Sequence, residues 1–153
     1  MSKILGLSFF YHDAAAVLLS DGAPVAMAEE ERFSRKKHDY DFPESATQFV
    51  LEAGNTKPKE LDWVVFYEKP FLKFDRVMKT FLASFPTAPN AFVHGIKSLF
   101  ISKLWIREVI SKKVGVEPDK ILFSEHHLSH GASAFLCSPY KRAAVLTIDG
   151  VGE

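Results

Sequence analysis

The chain has 153 residues, 47% of them hydrophobic and 25% charged, which is the mix of one ordinary globular domain. Lysine plus arginine balances aspartate plus glutamate at 19 each, so the basic footprint of a general nucleic-acid binder is missing. Cys137 is the single cysteine, so no internal disulfide can form, and no apolar stretch approaches the ~20 residues that span a bilayer. A soluble cytoplasmic protein without a membrane span or a nucleic-acid partner is the expectation.

Ile4 to Phe10 and Ala14 to Leu19 are apolar runs that read as strands, with Tyr11-His12-Asp13 between them. Asp21-Gly22 makes a hairpin turn into a third strand, Pro24 to Glu29, so the sheet opens antiparallel. Glu29 to His38 is a charge run, Glu-Glu-Glu-Arg-Phe-Ser-Arg-Lys-Lys-His. It reads either as a solvated face or as a place where Arg32, Arg35, Lys36 or Lys37 holds a phosphate or carboxylate. Pro43 suits the first position of a helix ending near Gly54, with Phe49, Val50 and Ala53 on one face.

Leu61 to Tyr67 reads as a buried strand. Phe74, Val77, Met78, Phe81 and Leu82 carry a helical period over Phe71 to Phe85, and a second helix is expected from about Ala91 to Lys113. Between Glu68 and Lys113 there are nine Lys and Arg against three acids, so these helices suit either a solvated basic face or an anionic partner or membrane surface. Ile121 to Phe123 is a short strand, His126 to Phe135 a helix, and Ala143 to Ile148 a strand ending in Asp149-Gly150-Val151-Gly152. Three strands followed by alternating helices and strands define an α/β fold. The last strand lacks a neighbour in sequence, which suggests a truncated unit and invites pairing between chains as a homo-oligomer.

His126 and His130 stand four residues apart on one helix face, where their ring nitrogens can converge on one ion at about 2.1 Å. Asp149 follows at the end of the next strand, where α/β proteins place ligand sites. Two imidazoles and a carboxylate suit iron(II) or zinc. The same pair of histidines equally suits a solvated helix start, and His127 faces elsewhere. Gly150 and Gly152 permit close backbone approach to a phosphate or ion. His12-Asp13 reads as a simple turn or as an acid–base pair.

Four stretches, ILGLSFFYHDAAAVLLSDG, AEEERFSRKKH, HHLSHGASAF and VLTIDGVGE, occur in an order and spacing that resemble the O-carbamoyltransferases of nodulation-factor and antibiotic biosynthesis, the nodulation protein U and tobramycin carbamoyltransferase type. The resemblance covers the whole chain. It implies the first half of a duplicated actin-like, sugar-kinase-like (ribonuclease-H-like) fold, a mixed sheet with helices related to the tRNA threonylcarbamoyl transferase subunit. Residues 1–140 would form that first half, and 141–153 the opening strand and loop of the second.

The implied reaction moves a carbamoyl group from carbamoyl adenylate to the hydroxyl of a small acceptor, a sugar or natural product. A carboxy-terminal domain outside this chain would make the adenylate from carbamoyl phosphate and ATP. By the same resemblance His126, His130 and Asp149 match metal ligands, with iron(II) favoured over zinc, and a further aspartate from the second half completes the set. His12 matches a catalytic histidine acting as base on the acceptor, and Lys37 a nucleotide contact, with Lys36 adjacent to it. The isolated chain would then be inactive. A non-catalytic module docking through its basic helices, or another enzyme of the same superfold, are the competing readings.

Overall fold

A computed structural model describes residues 2–84 and 105–149. Among them five strands, β1 (Lys3–Ser8), β2 (Ala15–Ser20), β3 (Ala23–Glu29), β4 (Trp63–Phe66) and β5 (Ile121–Phe123), form one mixed sheet in the order β3-β2-β1-β4-β5. The antiparallel opening follows from the hairpin. Asp21 and Gly22 both take positive φ, 51° and 81°, the geometry of a two-residue turn whose twist matches its strands. β4 then pairs parallel with β1, and β5 parallel with β4. Pro24 is tolerated because β3 is an edge strand and a register shift falls between Leu18 and Leu19 opposite it.

Alternation along the strands sends Leu5, Leu7, Ala16, Leu18, Val64, Phe66 and Ile121 to one buried face. Helix α2 (Glu44–Ala53) and the short α4 (Ile106–Ile110) supply Ala46, Val50, Leu51, Ile106 and Ile110 to the same core. The four-residue helix α1 (Glu31–Ser34) precedes α2, and α3 (Pro70–Ser84) follows β4.

Two sequence expectations need correction. The inward stripe of α2 is Ala46, Thr47, Val50 and Leu51, not Phe49, Val50 and Ala53; Phe49 is 43% exposed and stacks near Phe33 at 5.7 Å. Both stripes have helical spacing, and only the position of the sheet selects between them. The segment Ala143–Ile148 is not a strand, and Leu146 and Ile148 are 83% and 85% exposed. An apolar run permits a strand, but a strand exists only by pairing with a neighbour, and this segment joins neither sheet edge. Of the helix expected over Ala91 to Lys113, residues 91–104 lie outside the described residues; the rest forms α4 and a π-helical turn, Ser111–Gly115.

Within the charge run one acid is structural. Glu30 is only 6% exposed, and its carboxylate accepts the backbone N–H groups of Ala46 at 2.8 Å and Ser45 at 3.2 Å. Pro43, at the N-cap of α2, contributes no side-chain bond, so Glu30 satisfies these orphan donors from another element. Glu30→Gln puts an amide NH2 against one donor. It is expected to cost about 1–2 kcal/mol in urea unfolding. An unchanged midpoint would mean the cap carries no weight.

No helix among the described residues is long and apolar enough to cross a membrane.

Candidate functional site

Because β1, β4 and β5 are mutually parallel, their C-terminal ends share one edge of the sheet. Open α/β sheets bind ligands at that edge. Here it carries three connections: the turn 9–14 after β1, Tyr67–Lys69 after β4, and Ser124–Glu125 leading into helix α5 (His126–Leu136) after β5. The connections are tied together. The Ser124 N–H donates to the Phe66 carbonyl at 2.9 Å, Lys69 pairs with Glu125 at 2.7 Å, and the Ser129 hydroxyl donates to the Tyr67 carbonyl at 2.9 Å. Lys69 holds the Glu125 carboxyl below its ordinary value. The Tyr67 phenol is pushed far above its usual range, first by burial, then by the negative charge of Glu68 and by Tyr11. The Tyr67 ring lies beside that of His126, with the two centroids 5.5 Å apart.

Two constellations sit on this edge. In the first, the helical spacing of α5 brings the Nε2 atoms of His126 and His130 to 3.2 Å, and Asp149 returns to place Oδ2 2.7 Å from the His126 Nε2. One ligand atom from each of the three lies within 4.8 Å of the others. Protons alone satisfy this arrangement poorly. A ring nitrogen carries either a hydrogen or a lone pair, so the His126 Nε2 that donates to the carboxylate has nothing to offer the His130 Nε2. Two imidazole lone pairs and a carboxylate around one point are instead the donor set of a divalent cation with open positions. The residues present fit such an ion.

The second constellation is centred on Asp13. An ionised carboxylate only accepts, so the His12 Nδ1–H donates to Oδ2 at 2.8 Å and the His38 Nδ1–H to Oδ1 at 2.8 Å. The hydrogen bonds from His38 and, second, His12 hold the Asp13 carboxyl below its ordinary value. A group depressed on folding contributes stability that is complete above its unfolded value. That contribution is lost as the pH falls through the lower folded value. A carbon-13 titration of the Asp13 carboxyl is therefore expected to run below that of a free aspartate. His38→Ala should move it back upward, and a curve indifferent to that change would contradict the assignment.

The other expected contacts are placed as follows. Lys37 is exposed, while Lys36 reaches Asp41 at 3.2 Å and Asp39 at 3.4 Å, which raises its own pKa. Gly150 and Gly152 lie outside the described residues. The sequence does not mark His38 as a site residue. Its only signal there was its position at the end of the charge run, and the contact to Asp13 crosses 25 residues. A cavity of about 770 Å³ opens on the less covered sheet face, with Gly6, Val17 and Met27 among its walls and Ser8, Tyr67 and Ser129 at its site end.

Histidines and carboxylates thus gather at the parallel edge of a mixed α/β sheet. The Carbamoyltransferase N-terminus family model matches residues 3–153, and the chain belongs to that family. The uncharacterized protein sll1178 of Synechocystis is 44% identical over 160 residues, covering 100% of this chain and 26% of that protein. Nodulation protein NolNO of Sinorhizobium fredii is 32% identical, covering 94% of this chain and 20% of that protein. The uncharacterized protein MJ1051 of Methanocaldococcus jannaschii is 28% identical, covering 98% and 22% respectively. The chain therefore spans about a quarter or less of the length of these relatives.

Proposed function

We propose that this chain is the acceptor-activating and metal-holding part of an O-carbamoyltransferase, acting on carbamoyl adenylate and a small hydroxyl compound. The observation that carries the reading is the convergence of His126, His130 and Asp149 on one point, in a chain of this family. The bound ion, iron(II) in preference to zinc, would supply a Lewis acid for phosphate oxygens and the charge that develops on them. The three residues would hold it, with a further carboxylate from outside the chain.

His12 takes the remaining role. Its Nδ1–H is committed to Asp13, which leaves Nε2 as the basic atom. The acceptor oxygen attacks the carbamoyl carbon, its proton passes to that Nε2, and the bond from carbon to the phosphate oxygen breaks to release AMP. Lys36 or Lys37 would meet the nucleotide phosphate, with the backbone at Gly150 and Gly152. We read the strand–hairpin–strand opening as the first half of an actin-like fold. Residues from 141 onward then lead into the second half. The nucleotide cleft is closed by that half, so the 153-residue chain alone is expected to be inactive.

The test is a carbamoyl-transfer assay on nodulation protein NolNO in which this chain replaces the matching segment. Labelled carbamoyl phosphate, ATP and hydroxyl acceptors are supplied, and folding is checked by circular dichroism. Transfer of label to an acceptor, absent from the chain alone, is the expected result. A folded replacement that makes carbamoyl adenylate yet transfers nothing, to any acceptor that unsubstituted NolNO is found to carbamoylate in the same assay, would sink the proposal.

A further inference from the structure

We propose that Asp13 and His38 are positioning residues that, through a bridging carboxylate, lock His12 with its Nε2 atom as the proton acceptor. This deepens the carbamoyl-transfer reading and rests on it for the role of His12. The geometry itself needs no such reading. Asp13 uses one oxygen for each imidazole at 2.8 Å, and each contact needs a single proton that its own ring supplies.

That separates this constellation from the first. Around His126 the contacts conflict unless a cation is shared. Around Asp13 they are mutually satisfied, so a relay explains the cluster of Asp13, Glu31 and His38 without an ion.

The backbone around the relay is strained and pinned. Phe10, Asp13, Arg35 and His38 are non-glycine residues with φ of 67°, 50°, 58° and 54°, and they fall in just two facing segments. Such left-handed residues cost free energy and persist where the surroundings over-determine them, which is characteristic of functional sites. Here the surroundings are explicit. The Phe10 N–H donates to the Tyr40 carbonyl and the Ala14 N–H to the Asp39 carbonyl, both at 2.7 Å. The Glu31 carboxylate accepts the His38 N–H at 3.1 Å, and Lys36 ties down Asp39 and Asp41. The two segments are thus zipped together on either side of Asp13, and the carboxylate cannot turn away from one imidazole without losing the other.

A free imidazole in water prefers its proton on Nε2. Holding it on Nδ1 is work that the carboxylate does, and a second donor on the opposite oxygen keeps that carboxylate in place. His38 acts on His12 only through Asp13.

The experiment is histidine-selective nitrogen-15 NMR on the chain, which reads the tautomer of each ring and needs no turnover. Above the imidazole titration range, His12 and His38 are both expected as Nδ1–H. Asp13→Asn keeps one acceptor oxygen and sets an NH2 against the other imidazole, so at least one ring should return toward the Nε2–H form; asparagine tolerates the positive φ at this position. His38→Ala should shift His12 the same way. His38→Asn, whose amide N–H mimics Nδ1–H and which also tolerates positive φ, should restore it.

In the transferase assay described above, His38→Ala is expected to lower kcat at least ~10-fold with acceptor KM unchanged, and His38→Asn to recover most of it. A His12 ring that keeps its tautomer in both Asp13→Asn and His38→Ala overturns the relay. So does a kcat indifferent to His38→Ala in an active transferase. Absence of transfer in the unsubstituted protein, with the tautomers as expected, sinks the carbamoyl reading and leaves the relay standing.

Discussion

Replacing His126 or His130 by alanine is expected to weaken divalent-metal binding by more than about 100-fold, with Asp149→Asn costing about 10- to 100-fold. The ordering follows from the geometry. The His126 Nε2 is the atom common to both short contacts, 2.7 Å to Asp149 and 3.2 Å to His130, so its loss removes the centre of the set. Asparagine keeps an oxygen donor and loses only its charge. In an active transferase the alanine variants should lose turnover by at least about 100-fold, the scale of removing a preorganised charge from a reacting phosphate. Anaerobic titration with iron(II), and separately with zinc, checks this on the chain itself, where near-stoichiometric binding is expected. Failure of both the chain and the transferase that carries it to bind either ion would end the metal assignment, as would full binding by His126→Ala. His127→Ala is the control, since His127 is not one of the three residues whose ligand atoms converge, and it should leave binding unchanged.

The second large effect concerns the pivot beneath the Asp13 turn. Phe9 is fully buried, and its ring meets those of Phe10 at 4.7 Å, Phe66 at 4.9 Å and Phe42 at 5.2 Å. Phe9→Ala is expected to destabilise the fold by about 3–5 kcal/mol, through lost transfer energy and the cavity left among rigid rings. Against a domain stability of about 5–15 kcal/mol that is a large fraction. Phe9→Leu, which refills most of the space, should cost about 1–2 kcal/mol. Urea unfolding of the three proteins measures both numbers. A Phe9→Ala cost below about 1 kcal/mol would mean the neighbouring rings collapse into the space, and Phe9 would not be the pivot. Since Phe9 directly precedes Phe10-Tyr11-His12, the alanine variant should also broaden the His12 resonance.

Much of this was legible in the residues. Alternating apolar runs place the first three strands and the Asp21-Gly22 turn, because a two-residue period and a left-handed turn are local properties. The pairing of His126 with His130 is equally local, since one helical turn fixes it.

Other features were not local. Glu30 is indistinguishable in its charge run from its exposed neighbours, and only the arrival of α2 above it turns an acid into a cap. The stripe of α2 that faces inward depends on where the sheet lies. The segment Ala143–Ile148 has the composition of a strand, yet strand formation needs a partner that the segment does not contain. The contact from His38 to Asp13 spans 25 residues and is made by two segments zipped through backbone bonds.

The sequence by itself determined the first three strands with their turn, the α/β class, the family and the two-histidine face of α5, because each rests on spacing within a few residues or on the run of the whole chain. Only the tertiary structure decided that His38 joins His12 on the Asp13 carboxylate and that Glu30 meets the start of α2. Those contacts are set by chain segments returning to the sheet, and no local period encodes where a distant segment returns.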